Sequence, residues 1–234
     1  MTPHAAAPDP ALERLALACR ALAAHGHGDL NLGHLSLRTE DGAHFWMKRA
    51  GPGLDEVVPA DLLLVDLDGN VEAGSGPLHV EWPIHAEIFR ARPDVVAVGH
   101  THGRCTAVLS AAASPQIRPL THAGAMFPGG VPRFEESGNL ISTPEAGRSL
   151  ARCLAGSDAV LMRNHGATFC GASLEHATVA GIQLERAAEA ELTLRAAGDA
   201  GRPAGEGEAR EKRAAIYTDS GVRSMFEWCL RRVR

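Results

Sequence analysis

The sequence contains no apolar run approaching the roughly 20 residues that a membrane-spanning helix requires, so a membrane protein is not expected. Its first ten residues, MTPHAAAPDP, show no basic segment followed by an apolar stretch, and so no signal-peptide pattern. No basic block stands out. The 28 acidic residues outnumber the 23 basic ones, giving a formal charge of -5, and the closing RRVR is too short to form a basic face. A nucleic-acid partner is therefore not expected, because phosphate binding needs such a face. Cysteine is scarce and never occurs as CxxC. Cys19, Cys105, Cys153, Cys170 and Cys229 are scattered and odd in number, which suits reduced thiols in a cytoplasm rather than a disulfide scaffold. There is no internal repeat, and tyrosine occurs once, as Tyr217.

What remains is a chain of 234 residues, 45% apolar, long enough for one good core, and a single domain over 1–234 is expected. Its organising stretch is VVAVGHTH, residues 95–102. An apolar strand ends there in two histidines with one residue between them. Strand side chains alternate faces, so His100 and His102 point the same way. His165, in AVLMRNHG, has the same build of apolar strand, histidine and glycine, and Glu81 lies upstream in HVEWPIH. A lone histidine at a strand end usually serves a turn. Three together suit a catalytic divalent metal with an open coordination position, and a carboxylate beside it would shuttle protons. Cys105 is an alternative ligand, but less well placed than the histidines.

Along the chain, Asp9-Pro10 reads as a helix start, with Leu12, Leu15, Cys19 and Leu22 at helical spacing and a stop near Gly26. Residues 1–8 are expected to fray. Strands are predicted after Gly33, over 43–48 and over 61–68, with a turn at Asp68-Gly69-Asn70. A helix is predicted from Glu81 to Arg92, a strand over 95–98 and a short helix over 106–113. Loop and short strands holding His122 come next, then a helix opened by Thr143-Pro144-Glu145. A strand over 159–163 precedes His165. Ser173 caps a helix to about Ala197, a mobile linker follows, and one helical stretch covers 209–232. The pattern implies a mixed sheet covered by helices, topology open.

Three pieces in this order resemble the class II aldolase/adducin family: GHLSLR, EWPIHAEIFRARPDVVAVGHTH and LMRNHGATFCGASLEHA. The resemblance implies a three-layer α/β/α domain with a mixed, largely antiparallel central sheet, assembled as a homotetramer with active sites between subunits. It implies that His100, His102 and His165 bind a divalent metal, zinc first, with manganese, iron or cobalt as alternatives. Glu81 matches the family's acid/base carboxylate, which adducin-like members often lack. Tyr217 is a candidate second proton donor, by analogy with an inter-subunit tyrosine in the family's aldolases.

Departures from the family's phosphate-cradling pattern are equally informative. Gly33-His34 replaces a Gly-Asn pair, Lys48-Arg49-Ala50-Gly51 replaces a hydroxyl-Gly turn, and His79-Val80 replaces a Ser-Ser pair. Imidazoles and cations suit a planar carboxylate at least as well as a phosphate. His34, Lys48, His79 and His122 are therefore candidate substrate contacts. The branch carrying Gly-His includes decarboxylases of hydroxylated aromatic and pyridine dicarboxylic acids. The expectation is a metal-dependent carbon–carbon lyase, preferably a decarboxylase of a small non-phosphorylated hydroxy-aromatic or keto acid working through a metal-stabilised enolate. The alternatives are a sugar-phosphate aldolase or 4-epimerase and, more remotely, an iron-dependent oxygenase or a non-catalytic adducin-like module.

Overall fold

The computed structural model describes residues 9–233; the expectation for residues 1–8 lies outside the described residues. Helix α1 (Pro10–Leu22) starts where its capping residues stand. The Asp9 carboxylate accepts the Ala11 N–H at 2.9 Å, and Pro10 fills the first turn, where a missing N–H costs nothing. Leu15, Cys19 and Leu22 form its buried stripe. A wide turn, Ala23–His27, follows; Gly26 adopts φ +94° there and the reversal buries His27.

The strands are β1 (His34–Arg38), β2 (His44–Lys48), β3 (Leu62–Asp66), β4 (Val71–Ala73), β5 (Ala97–Thr101), β6 (Arg133–Phe134), β7 (Ala159–Met162) and β8 (Gly166–Gly171). The remaining helices are α2 (Trp82–Ala91), α3 (Arg104–Ser110), α4 (His122–Ala125), α5 (Pro144–Leu154), α6 (Leu174–Ala196), α7 (Glu206–Ile216) and α8 (Asp219–Leu230). One eight-stranded sheet runs β4-β3-β2-β1-β5-β8-β7-β6. Each neighbouring pair is antiparallel except β6 and β7.

Strand alternation sends side chains to two cores. Phe45, Met47, Val98 and Val160 meet α2 and α5 on one face, through Ile84, Phe89, Leu150 and Leu154. Leu35, Ala97, Leu161 and Phe169 meet α1, α6 and α8 on the other, through Leu15, Leu184 and Phe226. Burying each such side chain contributes about 1.5–3 kcal/mol. Phe169 lies between two glycines, and a Cβ at either Gly99 or Gly181 would overlap its ring; that absence lets α6 settle close on the sheet. Helices on both faces of a mixed, largely antiparallel sheet are the three-layer α/β/α architecture expected.

Local departures have physical reasons. Strand β8 was not anticipated: GATFCG is buried on both faces, so it carries no alternation to read. The strand predicted over 95–98 begins at Ala97 instead and takes His100 into the ladder. His122 opens a one-turn helix rather than lying in a loop, because Thr121 Oγ1 accepts the Gly124 N–H at 3.3 Å. The helical stretch expected over 209–232 breaks at Tyr217, where Thr218 starts α8 by accepting the Gly221 N–H at 3.2 Å. The segment expected to be a mobile linker is tied down: Ala204 N donates to the Pro119 carbonyl at 3.1 Å.

Candidate active site

Strand register assembles the site. β1 and β5 pair His34 with His100, and β5 and β8 pair Thr101 with Ala167. The three-residue link between β7 and β8, which contains His165, therefore sits beside the end of β5. Asn164 turns that link at φ +56°, a left-handed conformation asparagine tolerates, and His165 N donates to Met162 O at 3.0 Å. The donor atoms of Glu81, His100, His102 and His165 all lie within 4.8 Å of one another.

Hydrogen bonding settles which ring nitrogens face the centre. His100 Nδ1 donates to the Ala167 carbonyl at 3.1 Å, so in the neutral ring Nε2 is the acceptor. His102 Nδ1 donates to the Asp29 carboxylate at 3.0 Å, which leaves its Nε2 in the same state. These two Nε2 atoms stand 3.2 Å apart, lone pair against lone pair. His165 adds two buried ring nitrogens without partners among the described residues. Such a set is repulsive when bare and is satisfied by one shared cation, so the residues fit a divalent metal. Asp29 completes the carboxylate–histidine arrangement that orients metal ligands.

The segment is clamped from α6. His27 Nε2 donates to the Gly181 carbonyl at 3.1 Å, so its Nδ1 accepts the Thr101 hydroxyl at 2.7 Å. Glu185, nearly buried, accepts the N–H groups of Cys105 and Thr106 at 2.5 and 2.9 Å, just beyond His102. Glu81 stands at the N-terminus of α2, buried, with Oε1 accepting the Ile141 N–H at 2.9 Å. Its Oε2 is 3.5 Å from His100 Nε2 and 3.9 Å from His34 Nε2; its Oε1 is 3.8 Å from His165 Nε2. Burial pushes the Glu81 carboxyl up, but His100 and His34, whenever they carry a proton toward it, outweigh burial and hold it well below the ordinary carboxylate range. Behind it, His34 Nδ1 and His85 Nε2 share a 2.6 Å hydrogen bond, and His85 Nδ1 and the Ser36 hydroxyl share another of 2.6 Å.

A sequence profile of the class II aldolase and adducin N-terminal domain matches residues 13–192. The chain belongs to the class II aldolase and adducin family. It is 34% identical over 203 residues to a 3,4-dihydroxyphthalate decarboxylase of Arthrobacter keyseri, covering 81% of each chain. It is 34% identical over 196 residues to the enzyme so named of Terrabacter sp. (strain DBF63), covering 78% of this chain and 80% of that one. In fold it is similar to an L-fuculose 1-phosphate aldolase from Glaciozyma antarctica PI12. That match has TM-score 0.85 and 24% identity, over 100% of this chain and 93% of that one.

In this class II aldolase-family chain, other candidate residues divide. His79 is buried, with its ring centroid 4.1 Å from that of His34. Lys48 is buried, and its Nζ donates to the Asn31 carbonyl at 3.3 Å; no carboxylate pairs with it within 4 Å among the described residues. Arg49 is committed to Asp61, at 2.8 and 2.9 Å. Tyr217 and His122 do not reach the cluster within the chain. The Tyr217 hydroxyl donates to the His122 carbonyl at 2.8 Å, its ring packs in the α6-side core, and burial pushes its pKa up to about 12, making it a weaker acid. His122 is exposed. The Cys105 thiol is outside the donor group and pushed up to about 11 by burial and Glu185. Sequence reasoning missed Asp29, Ser36, His85, His27 and Glu185. Only His85 left a signal, four residues after Glu81 and so on the same helical face.

Burial holds these imidazoles neutral. His27 is lowered from 6.5 to about 4 and His85 to about 3, desolvation being the first cause for both. An unfolded chain protonates both near 6.5, so between about pH 4 and 6.5 it binds more protons than the fold does. Stability of the metal-free protein is expected to fall as pH drops through that window, by on the order of 1 kcal/mol per histidine at pH 5.5. Urea denaturation at pH 7.5 and 5.5 measures it. Equal midpoints would contradict neutral burial.

Proposed function

We propose that the protein is a metal-dependent carbon–carbon lyase that decarboxylates a small, non-phosphorylated hydroxy-aromatic or keto acid. The observation that carries this reading is the pair of inward lone pairs 3.2 Å apart on His100 and His102, with His165 and Glu81 beside them. The three histidines would hold the metal. Zinc is the first choice, and manganese, iron or cobalt accept the same imidazoles. When bound, the cation supplies Lewis acidity toward the negative charge that bond cleavage leaves.

The chain's own residues then handle position and protons. Lys48, an ammonium buried without a carboxylate partner, receives the substrate carboxylate, and His34 and His79 line the same side. Pairing a buried charge in this way is worth more than pairing one in water. Glu81, held as a carboxylate, accepts the substrate hydroxyl proton. The carbon–carbon bond breaks, carbon dioxide leaves, and the electron pair stays on the substrate carbon. Glu81 returns its proton to that carbon, and the substrate oxygen regains one from water. The names of the two 34% identical relatives support decarboxylation over aldol cleavage.

We further propose that residues 1–234 form one domain, that five free thiols suit a cytoplasmic setting, and that the protein is a homotetramer with sites between subunits. Leu30 and Val80, chain neighbours of Asp29 and Glu81, are 86% and 56% exposed and would suit cover by a second copy. The deciding assay offers zinc-loaded protein hydroxylated aromatic dicarboxylates and, separately, ketose phosphates. Carbon dioxide release from the first is expected; aldehyde release from the second alone would establish an aldolase instead. With a turned-over acid, Lys48→Met is expected to raise KM about 10- to 100-fold, a charge-assisted hydrogen bond's worth, at unchanged zinc content. An unaltered KM would remove Lys48 from the site.

A further inference from the structure

We propose that His34, His79 and Glu81 form a second, weaker cation site, and that zinc bound there inhibits the enzyme by engaging Glu81. This rests on the proposed role of Glu81 as the proton carrier. The donor atoms of the three residues lie within 4.8 Å of one another, and all three side chains are buried. Two nitrogens in the group lack partners among the described residues. His34 spends Nδ1 on His85, which leaves its buried Nε2 unpartnered, 3.9 Å from Glu81 Oε2. His79 Nδ1 is likewise buried and unpartnered. Two imidazoles and a carboxylate are a mixed nitrogen–oxygen set that zinc accepts.

Glu81 belongs to both groups. Its Oε2 lies toward His34 and His100, its Oε1 toward His165. An ion drawn to His34 and His79 would bind the same carboxylate that must stay free to accept a proton. A cation held by His100, His102 and His165, whose donor group shares Glu81 with this one, and the Lys48 ammonium would both repel a second ion, so it binds more weakly, by roughly tenfold or more. Activity therefore peaks with one ion per chain and falls as the second arrives.

The test titrates buffered free zinc into the one-zinc enzyme, following turnover and zinc per chain by equilibrium dialysis and elemental analysis. Two ions per chain are expected at high zinc, with activity at least about tenfold below its maximum. His79→Gln is expected to take up one ion and to keep more than half of its own maximum at the same zinc concentration. Uptake that stops at one ion in the parent overturns the second site and leaves the proposed lyase untouched. Two ions in both parent and variant overturn it as well, because the second would then lie elsewhere. Should the one-zinc enzyme lack turnover, the inhibitory role falls with the proposed function, while the ion count still decides the site. Anomalous scattering at the zinc edge from crystals of the parent at high zinc gives a check without any variant. Density between His34, His79 and Glu81 supports the proposal, and its absence overturns it.

Discussion

Removing the divalent metal with a chelator is expected to lower carbon dioxide release by at least about ten-thousandfold, and one equivalent of zinc is expected to restore it. Lewis-acid stabilisation of developing charge is worth several kcal/mol, and each tenfold in rate corresponds to about 1.4 kcal/mol. Neither nearby cation among the described residues is placed to replace it: Lys48 donates to the Asn31 carbonyl and is the proposed contact for the substrate carboxylate, and Arg49 is bound to Asp61. The loss should have a structural counterpart. Bare His100 and His102 hold two lone pairs 3.2 Å apart, and His165 has two ring nitrogens without partners among the described residues, so the fold without metal carries an uncompensated repulsion. A ligand that binds only the native state stabilises it, and the chelated protein is expected to melt at a lower temperature than the zinc-loaded one. Full turnover in protein shown by elemental analysis to be metal-free would defeat the proposed chemistry outright.

Glu81→Gln is expected to reduce kcat by about a hundred- to ten-thousandfold, the usual contribution of a positioned acid/base group, while the one zinc held by the three histidines is retained. The amide is nearly isosteric, and its oxygen can still accept the Ile141 N–H that Oε1 accepts now at 2.9 Å. His100 and His102 keep their own supports at Ala167 and Asp29, and His165 is held by its backbone bond to Met162, so the cation is expected to be retained. What the amide cannot do is accept a proton from the substrate hydroxyl. The effect should therefore fall on kcat with little change in KM. Turnover near the parent level, with zinc bound, would assign proton transfer to another group.

How far the sequence reached can be traced through single residues. His100, His102, His165 and Glu81 were visible because local patterns mark them: an i, i+2 pair after an apolar run, a strand ending in His-Gly, and a carboxylate at a helix start. Helices α1 and α6 were visible through their caps at Asp9 and Ser173. Strand β8 was not, since burial on both faces erases alternation. Tyr217 entered only by analogy, and the fold spends its hydroxyl on the His122 carbonyl. Asp29 and Glu185 carry no local signature at all. Each is defined by a partner some 73 to 80 residues away.

By itself the sequence determined which side chains share a strand face, where helices begin, and that three imidazoles and a carboxylate were available in contexts able to present them. Those properties follow from the periods of strand and helix, which are local. Only the tertiary structure decided how these groups meet. The β5–β8 register sets His165 beside His100, the Ala167 carbonyl and Asp29 choose which nitrogen of His100 and of His102 turns inward, and burial disfavours charge on the His102 and His165 rings. The physical reason is that tautomer and protonation depend on hydrogen-bond partners and dielectric supplied by remote segments, and no local pattern encodes those.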